Sequence, residues 1–441
     1  MQWTYHPDLL ASPVPRYTSF PTAAEFGQDV GPADLAGALR AVGELEPVSL
    51  YLHIPYCREI CWYCGCNTGA ANRTARVAAY VQRLGEEIDL VAGHLGGRGR
   101  IERIAWGGGS PNALAPSQFD ALMRRLDDAF GCRDAVVSVE LDPRGFSWRW
   151  AESFARHRIS RASLGVQTFA PQIQRAIGRV QSVEEIACTV GRLRAALVSS
   201  INFDLMYGLP RQIAADLDET FDIALEMLPQ RLAVFGYAHV PHLLPRQRQI
   251  DANQLPDAAT RFMMAQQAHE RLTRAGYQPI GFDHFALSGD ALAAAARNGT
   301  LRRNFQGFTE DRADVLIGLG ASAISAFPDA LLQNEKNAGR YHLRIANGQF
   351  AVARGVRRSA DDRLRAGIIE ALLCRDAADC AGLPDLAEVQ ARLKSFEEAQ
   401  LIDWLGSLLC VRPTARPYAR AIAATIDPYR YAGAVRFSSA V

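Results

Sequence analysis

At 441 residues, with about half of them hydrophobic, the chain exceeds one ordinary domain and can bury a large core. Its formal charge of +1 excludes a global pull toward nucleic acid or an acidic membrane surface, so any basic site must be local. The opening MQWTYHPDLLASPVPRYTSF has no basic stretch followed by an apolar one, and no window reaches the roughly 18 apolar residues of a membrane span, so a cytoplasmic location is expected.

In chain order, residues 1–40 contain PRYTSFPTAAEF, too rich in proline and polar residues for a strand or helix, and are expected to form an arm that packs over a site. From residue 41 to 354 short β-rich runs alternate with helical segments. The strand candidates are 48–55, 101–108, 135–143, 161–169, 200–208, 232–240 and 277–285. Such alternation predicts an α/β fold built on a partial (β/α) barrel, with an open doubly wound sheet as the alternative. Beyond residue 354 the pattern changes to ADDRLRAGIIEALLC and LAEVQARLKSFEEAQ, which predict a mainly helical C-terminal domain over 355–441 with a small two-strand wing.

Unusual residues gather at the C-terminal ends of the candidate strands, where parallel barrels build their sites. The first strand runs into HIPYCREICWYCGCNT, with Cys57, Cys61, Cys64 and Cys66 in ten positions. Structural zinc normally needs a second cysteine pair at a longer spacing, and none follows, so that site is disfavoured. Three thiolates on one short loop can instead hold three irons of a cubane and leave the fourth open; the plainer alternative is three buried cysteines. The other five cysteines are scattered, as buried thiols of a reducing compartment would be.

At the second strand end, Gly107, Gly108 and Gly109 permit close backbone approach, so backbone groups and Ser110 can hydrogen-bond a small polar ligand. Glu140 and Asp204 are acids inside apolar strands, costly to bury unless hydrogen-bonded or paired; ribose hydroxyls suit them, and pairing with Arg144 or another local arginine is the competing reading. Gln167 and Arg179 can offer an amide and a guanidinium to a carboxylate. His239 and His284, at strand ends, are expected to be structural.

The C-x3-C-x2-C loop with Tyr63 after the first strand resembles the radical S-adenosylmethionine (SAM) superfamily. WGGGSPN, ELDPR, LGVQTF, NFDLMYGLP, FGYAHVP, FDHFA, RRNFQGFT, GASAIS and the closing RFSSAV further resemble the oxygen-independent coproporphyrinogen III oxidases over essentially the whole chain. That resemblance implies a [4Fe-4S] cluster on Cys57, Cys61 and Cys64, with two SAM molecules beside it. Tyr51, Gly108, Glu140 and Ile324 would contact the first, and Tyr63, Gly109, Ser110, Gln167, Arg179, Asp204 and Ala238 the second. Cys66, an aromatic in related heme-chaperone-like proteins, is the candidate catalytic residue and is not expected to ligate the cluster.

The implied reaction is oxidative decarboxylation of two propionates of coproporphyrinogen III to the vinyl groups of protoporphyrinogen IX, in heme biosynthesis. A small electron-donor protein, a monomeric state and no nucleic-acid partner or membrane insertion are expected. Arg16, Arg302 and Arg303 are candidate partners of the propionates. Gly236 and Phe282 depart from the family's pattern, where a polar amide residue and a methionine are expected. The competing functions are a radical SAM methyltransferase of related architecture and a heme-binding chaperone without turnover.

Overall fold

A computed structural model describes residues 2–431; the RFSSAV motif and the last ten residues of the expected C-terminal domain lie outside them. Six strands follow the predicted rhythm: β1 (Pro47–Ile54), β2 (Arg100–Gly108), β3 (Val136–Leu141), β4 (Arg161–Gln167), β5 (Ser200–Tyr207) and β6 (Arg231–Gly236). They pair in parallel in that order. Helices such as Thr74–Leu95 and Pro116–Phe130 return the chain between them, each ended by a left-handed glycine, Gly96 or Gly131.

The seventh candidate, 277–285, is instead an antiparallel hairpin: β7 (Tyr277–Ile280) turns through Gly281 at φ +55° into β8 (His284–Leu287), which pairs antiparallel with β6. Following the β9–β10 hairpin (Arg302–Asn304 and Gly307–Thr309), the seventh parallel strand is β11 (Val315–Leu319), on the far side of β1. Its five residues are buried throughout, so no alternation marks it in the sequence. β12 (Ile324–Phe327), β13 (Ala330–Asn334) and β14 (Val352–Arg357) continue antiparallel from it. The resulting twelve-stranded sheet has two separate ends, which makes the barrel partial.

One large core fills the space between this sheet and its helices. A second joins Trp3, Tyr17 and Phe20 of the N-terminal segment to Phe308 and to Leu372, Tyr418 and Ile422 of the C-terminal region. That region holds helices Ala360–Arg375 and Leu386–Glu398 and, in place of the expected two-strand wing, a three-stranded sheet. Among the described residues no helix is long and apolar enough to cross a membrane.

Candidate active site

A cavity of about 460 Å³ opens at the C-terminal ends of β1 to β6. Residues singled out from the sequence that line it are Arg16, Cys57, Cys61, Tyr63, Cys64, Cys66, Gly108, Gly109, Ser110, Glu140, Gln167, Arg179, Asp204, Gly236 and Ala238. Tyr51 and Ile324 are set back from it. The Tyr51 hydroxyl lies 3.1 Å from His53 Nδ1, and burial, then the nearby Glu140 and Cys66, hold its pKa far up. Tyr51 pairs with Gly318, where a Cβ would come within 2.5 Å of the Ile324 carbonyl oxygen, so the two residues are close neighbours across β11.

Local packing fixes the glycine turn. A Cβ at Gly107 would fall 2.6 Å from Glu140 Oε2, and one at Gly108, which sits at φ +104°, would fall 2.4 Å from the His53 imidazole. The turn's amides are already engaged: Gly108 N–H donates to Glu140 Oε2 at 3.1 Å, Gly109 to the Ile54 carbonyl and Ser110 to the Tyr56 carbonyl, both at 2.8 Å. Ser110 Oγ accepts from Asp142 N–H at 3.1 Å. What the turn offers a ligand is therefore close approach and carbonyl oxygens more than amide donors.

Among the described residues Glu140 has no arginine partner; Arg144 is held by both oxygens of Asp142 and by Glu59. Burial, with Asp204 and Cys64 adding repulsion, pushes the Glu140 carboxyl up to about 7. Asp204 is also raised by burial, even though it accepts from Ser163 Oγ at 2.9 Å and Asn202 Nδ2 at 2.8 Å. Gln167 adopts φ +69° at the bulge that ends β4, a conformation costing a non-glycine residue about 1 kcal/mol. Its amide makes no hydrogen bond among the described residues.

Arg179 is more committed than its position suggests. It donates to the Gly165 carbonyl from Nε at 3.0 Å and from Nη2 at 2.6 Å, to Cys61 Sγ from Nη1 at 3.2 Å, and it pairs with Asp142 at 3.4 Å. The thiols are inequivalent. Hydrogen bonding from Cys66 brings Cys64 down to about 6, burial drives Cys57 up to about 12, and Cys66, which shares that bond, is raised.

Sequence reading did not single out Asp142, which anchors Arg144 and Arg179, or Gln247. The buried Gln247 donates to the carbonyls of Tyr63 at 2.9 Å and Ala238 at 3.0 Å and accepts from Val240 N–H, tying the cysteine loop to the end of β6. It lies in the short turn Pro245–Gln249, whose sequence carries no pattern. His239 and His284 bond to Tyr237 and Asp283.

A model of the radical SAM superfamily matches residues 51–224, from β1 to the helix after β5. The class defined by fold and site is thus that of radical SAM proteins, which bring a [4Fe-4S] cluster and SAM. Curated relatives narrow it. The oxygen-independent coproporphyrinogen III oxidase of Bradyrhizobium diazoefficiens is 42% identical over 97% of either chain, and that of Paracoccus denitrificans is 39% identical over 96% of this chain and 95% of its own. The solved coproporphyrinogen III oxidase of Escherichia coli, described as a radical SAM enzyme, matches with a TM-score of 0.90 and 34% identity over 97% of this chain and all of that one. The chain belongs to the oxygen-independent coproporphyrinogen III oxidase family.

The residues present fit those groups. Three spaced thiols border a cavity in which, among the described residues, the Gln167 amide lacks a hydrogen bond and Glu140 lacks a cationic partner, as a site for a polar, cationic ligand requires.

Proposed function

We propose that this cavity carries out oxygen-independent oxidative decarboxylation of coproporphyrinogen III, turning two propionates into vinyl groups and giving protoporphyrinogen IX. The observation that carries it is the convergence of Cys57, Cys61 and Cys64 with Glu140, Gln167 and Asp204 on one cavity, in a chain alike end to end to enzymes of that name. When bound, the cluster and SAM supply a 5′-deoxyadenosyl radical able to take a hydrogen atom from a propionate β-carbon.

The chain's own part is to bind, orient and exclude water. Cys57, Cys61 and Cys64 are the proposed cluster thiolates. Arg179, held against Cys61 Sγ, offsets their negative charge. Tyr51, Gly108, Glu140 and Ile324 are assigned to the cluster-bound SAM. Its cationic groups favour the charged form of Glu140, whose buried carboxyl otherwise keeps its proton to about pH 7.

Tyr63, Gly109, Ser110, Gln167, Arg179, Asp204 and Ala238 are assigned to a second SAM. The exposed Cys66, whose amide donates to Cys64 Sγ at 3.4 Å, is the proposed catalytic thiol beside the cluster. An arm is assigned to residues 1–40, a barrel domain to 41–354 and a C-terminal domain to 355–441; helices Ala360–Arg375 and Leu386–Glu398 with their own three-stranded sheet support the last of these. Each decarboxylation leaves one electron for an external acceptor, and reduction of the cluster calls for a small electron-donor protein.

The test is an anaerobic assay of the reconstituted protein with SAM, a reductant and coproporphyrinogen III. Carbon dioxide and 5′-deoxyadenosine in matched amounts, with protoporphyrinogen IX, are expected. 5′-Deoxyadenosine without carbon dioxide would reject the substrate.

A further inference from the structure

The cavity is not electrostatically uniform. Its β3 and β5 walls carry Glu140, Asp142 and Asp204, and the nearby guanidinium of Arg179 is already engaged by Asp142 and the Gly165 carbonyl. At the β6 wall the sign reverses. There Arg16, brought in by the N-terminal arm, lines the cavity. Its Nη2 lies 3.4 Å from the Gly236 carbonyl and its guanidinium 5.1 Å from the centre of the Phe235 ring. Among the described residues no carboxylate forms an ion pair with it; Asp283 feels its charge at longer range and is itself bonded to His284, so the Arg16 guanidinium can take an incoming carboxylate.

What holds Arg16 there is a second arginine. Arg303, on β9, donates from Nε to the Arg16 and Tyr17 carbonyls, both at 3.2 Å, and from Nη2 to the Arg16 carbonyl at 2.9 Å. Its guanidinium also lies 4.4 Å from the Phe308 ring centre and 4.8 Å from that of Phe282, the position where methionine was expected. Burial opposes ionisation of Asp283, but its partner His284, then Arg303 and Arg16, hold its carboxyl below the ordinary range. Arg302 has no such freedom: it pairs with Glu370 at 2.9 Å and Asp314 at 3.1 Å, which removes it from the candidate propionate partners.

We propose that Arg16 binds a propionate carboxylate of the substrate, and that Arg303 is the positioning residue that fixes Arg16 through the main chain of the arm. The inference rests on the tetrapyrrole reading above. A ring with four carboxylates finds its cation at the β6 wall and none paired to receive it beside Glu140 and Asp204, so the cavity favours the orientation that turns a propionate toward Arg16. A planar fork on two successive carbonyls is a task for arginine that lysine's single ammonium does not reproduce.

The test uses the reconstituted holoprotein and two fluorescent probes: coproporphyrin III, which keeps all four carboxylates, and its tetra-amide, which has the same ring without the charge. The parent protein is expected to prefer the acid. Arg16→Gln should raise the dissociation constant for the acid about tenfold, leave that for the tetra-amide unchanged, and be largely rescued by Arg16→Lys. Arg303→Lys, which keeps the charge but loses the fork, should weaken acid binding severalfold.

A folded Arg16→Gln protein with an unchanged acid-to-amide ratio overturns the proposal, and unchanged acid binding by Arg303→Lys overturns its positioning half. A parent protein that binds neither porphyrin overturns the substrate reading itself, an outcome seen before any variant is made.

Discussion

The two ends of the barrel treat buried charge in opposite ways. At the C-terminal ends of the strands, the part-buried Glu140 and Asp204 form no ion pair among the described residues and their pKa values are raised, Glu140 to about 7. At the N-terminal ends, the Glu310 carboxylate is gripped by Arg103 at 2.9 Å, by Arg161 and by Arg231 at 3.6 Å. Burial alone would raise the Glu310 pKa, yet Arg231, Arg161 and Arg103 together lower it to about 2. Asp311, with Ser49 and Arg103, and Asp290, with Ser200 and Arg231, complete that plug. An interior cavity of about 310 Å³, lined by Ser138, Ser163 and Asn202, lies between the ends. One end commits its charges to ion pairs within the fold, and the other leaves its carboxylates without an ion pair among the described residues.

The sharpest way to break the contrast is at the top. Cys61→Ala is expected to abolish the iron content and brown colour of the reconstituted protein and all turnover, with a cooperative melt retained; an iron-loaded, active variant would remove Cys61 from the ligand set. At the bottom, Glu310→Gln strips the shared partner from three half-buried arginines and should cost about 3 kcal/mol in chemical denaturation. A loss below about 0.5 kcal/mol would mean that the plug contributes nothing to stability. Gln247→Ala leaves the Val240 amide and the Tyr63 and Ala238 carbonyls without their partner. It should cost about 1 kcal/mol and speed loss of the cluster in air, and an unchanged rate of cluster loss would contradict its bracing role.

The smallest effect is on pH dependence. Glu310 ionises more readily folded than unfolded, so its stabilisation is full above its ordinary value of 4.5 and is lost as pH falls through about 2. Glu140 is the reverse: the folded chain keeps its proton up to about 7, so stability declines as pH rises from 4.5 toward 7. Melting temperatures across pH 5 to 7 should therefore fall less steeply in Glu140→Gln than in the parent, and parallel curves would refute the Glu140 assignment.

Much of the top was legible in the sequence, because rim residues follow their strands locally. The cysteine loop, the glycine turn, Glu140, Gln167 and Asp204 each stand beside a readable β-run. The bottom was not. Glu310 meets Arg103 and Arg161 only after the β9–β10 hairpin crosses beneath the barrel, a contact between residues 207 apart in sequence for Arg103. β11 was missed because a strand buried on both faces shows no alternation, and the 277–285 hairpin was read as one strand because its turn is only three residues long. Gln247 acts through backbone carbonyls, which leave no trace in side-chain patterns.

The division between the two ends is tested most directly by titrating SAM into reconstituted Glu140→Gln and Glu310→Gln proteins under anaerobic conditions, with thermal melts of the same samples. Glu140→Gln is expected to weaken SAM binding about tenfold or more at an unchanged or higher melting temperature, while Glu310→Gln lowers the melting temperature and leaves SAM affinity as it was. Unchanged SAM affinity in Glu140→Gln would contradict the account.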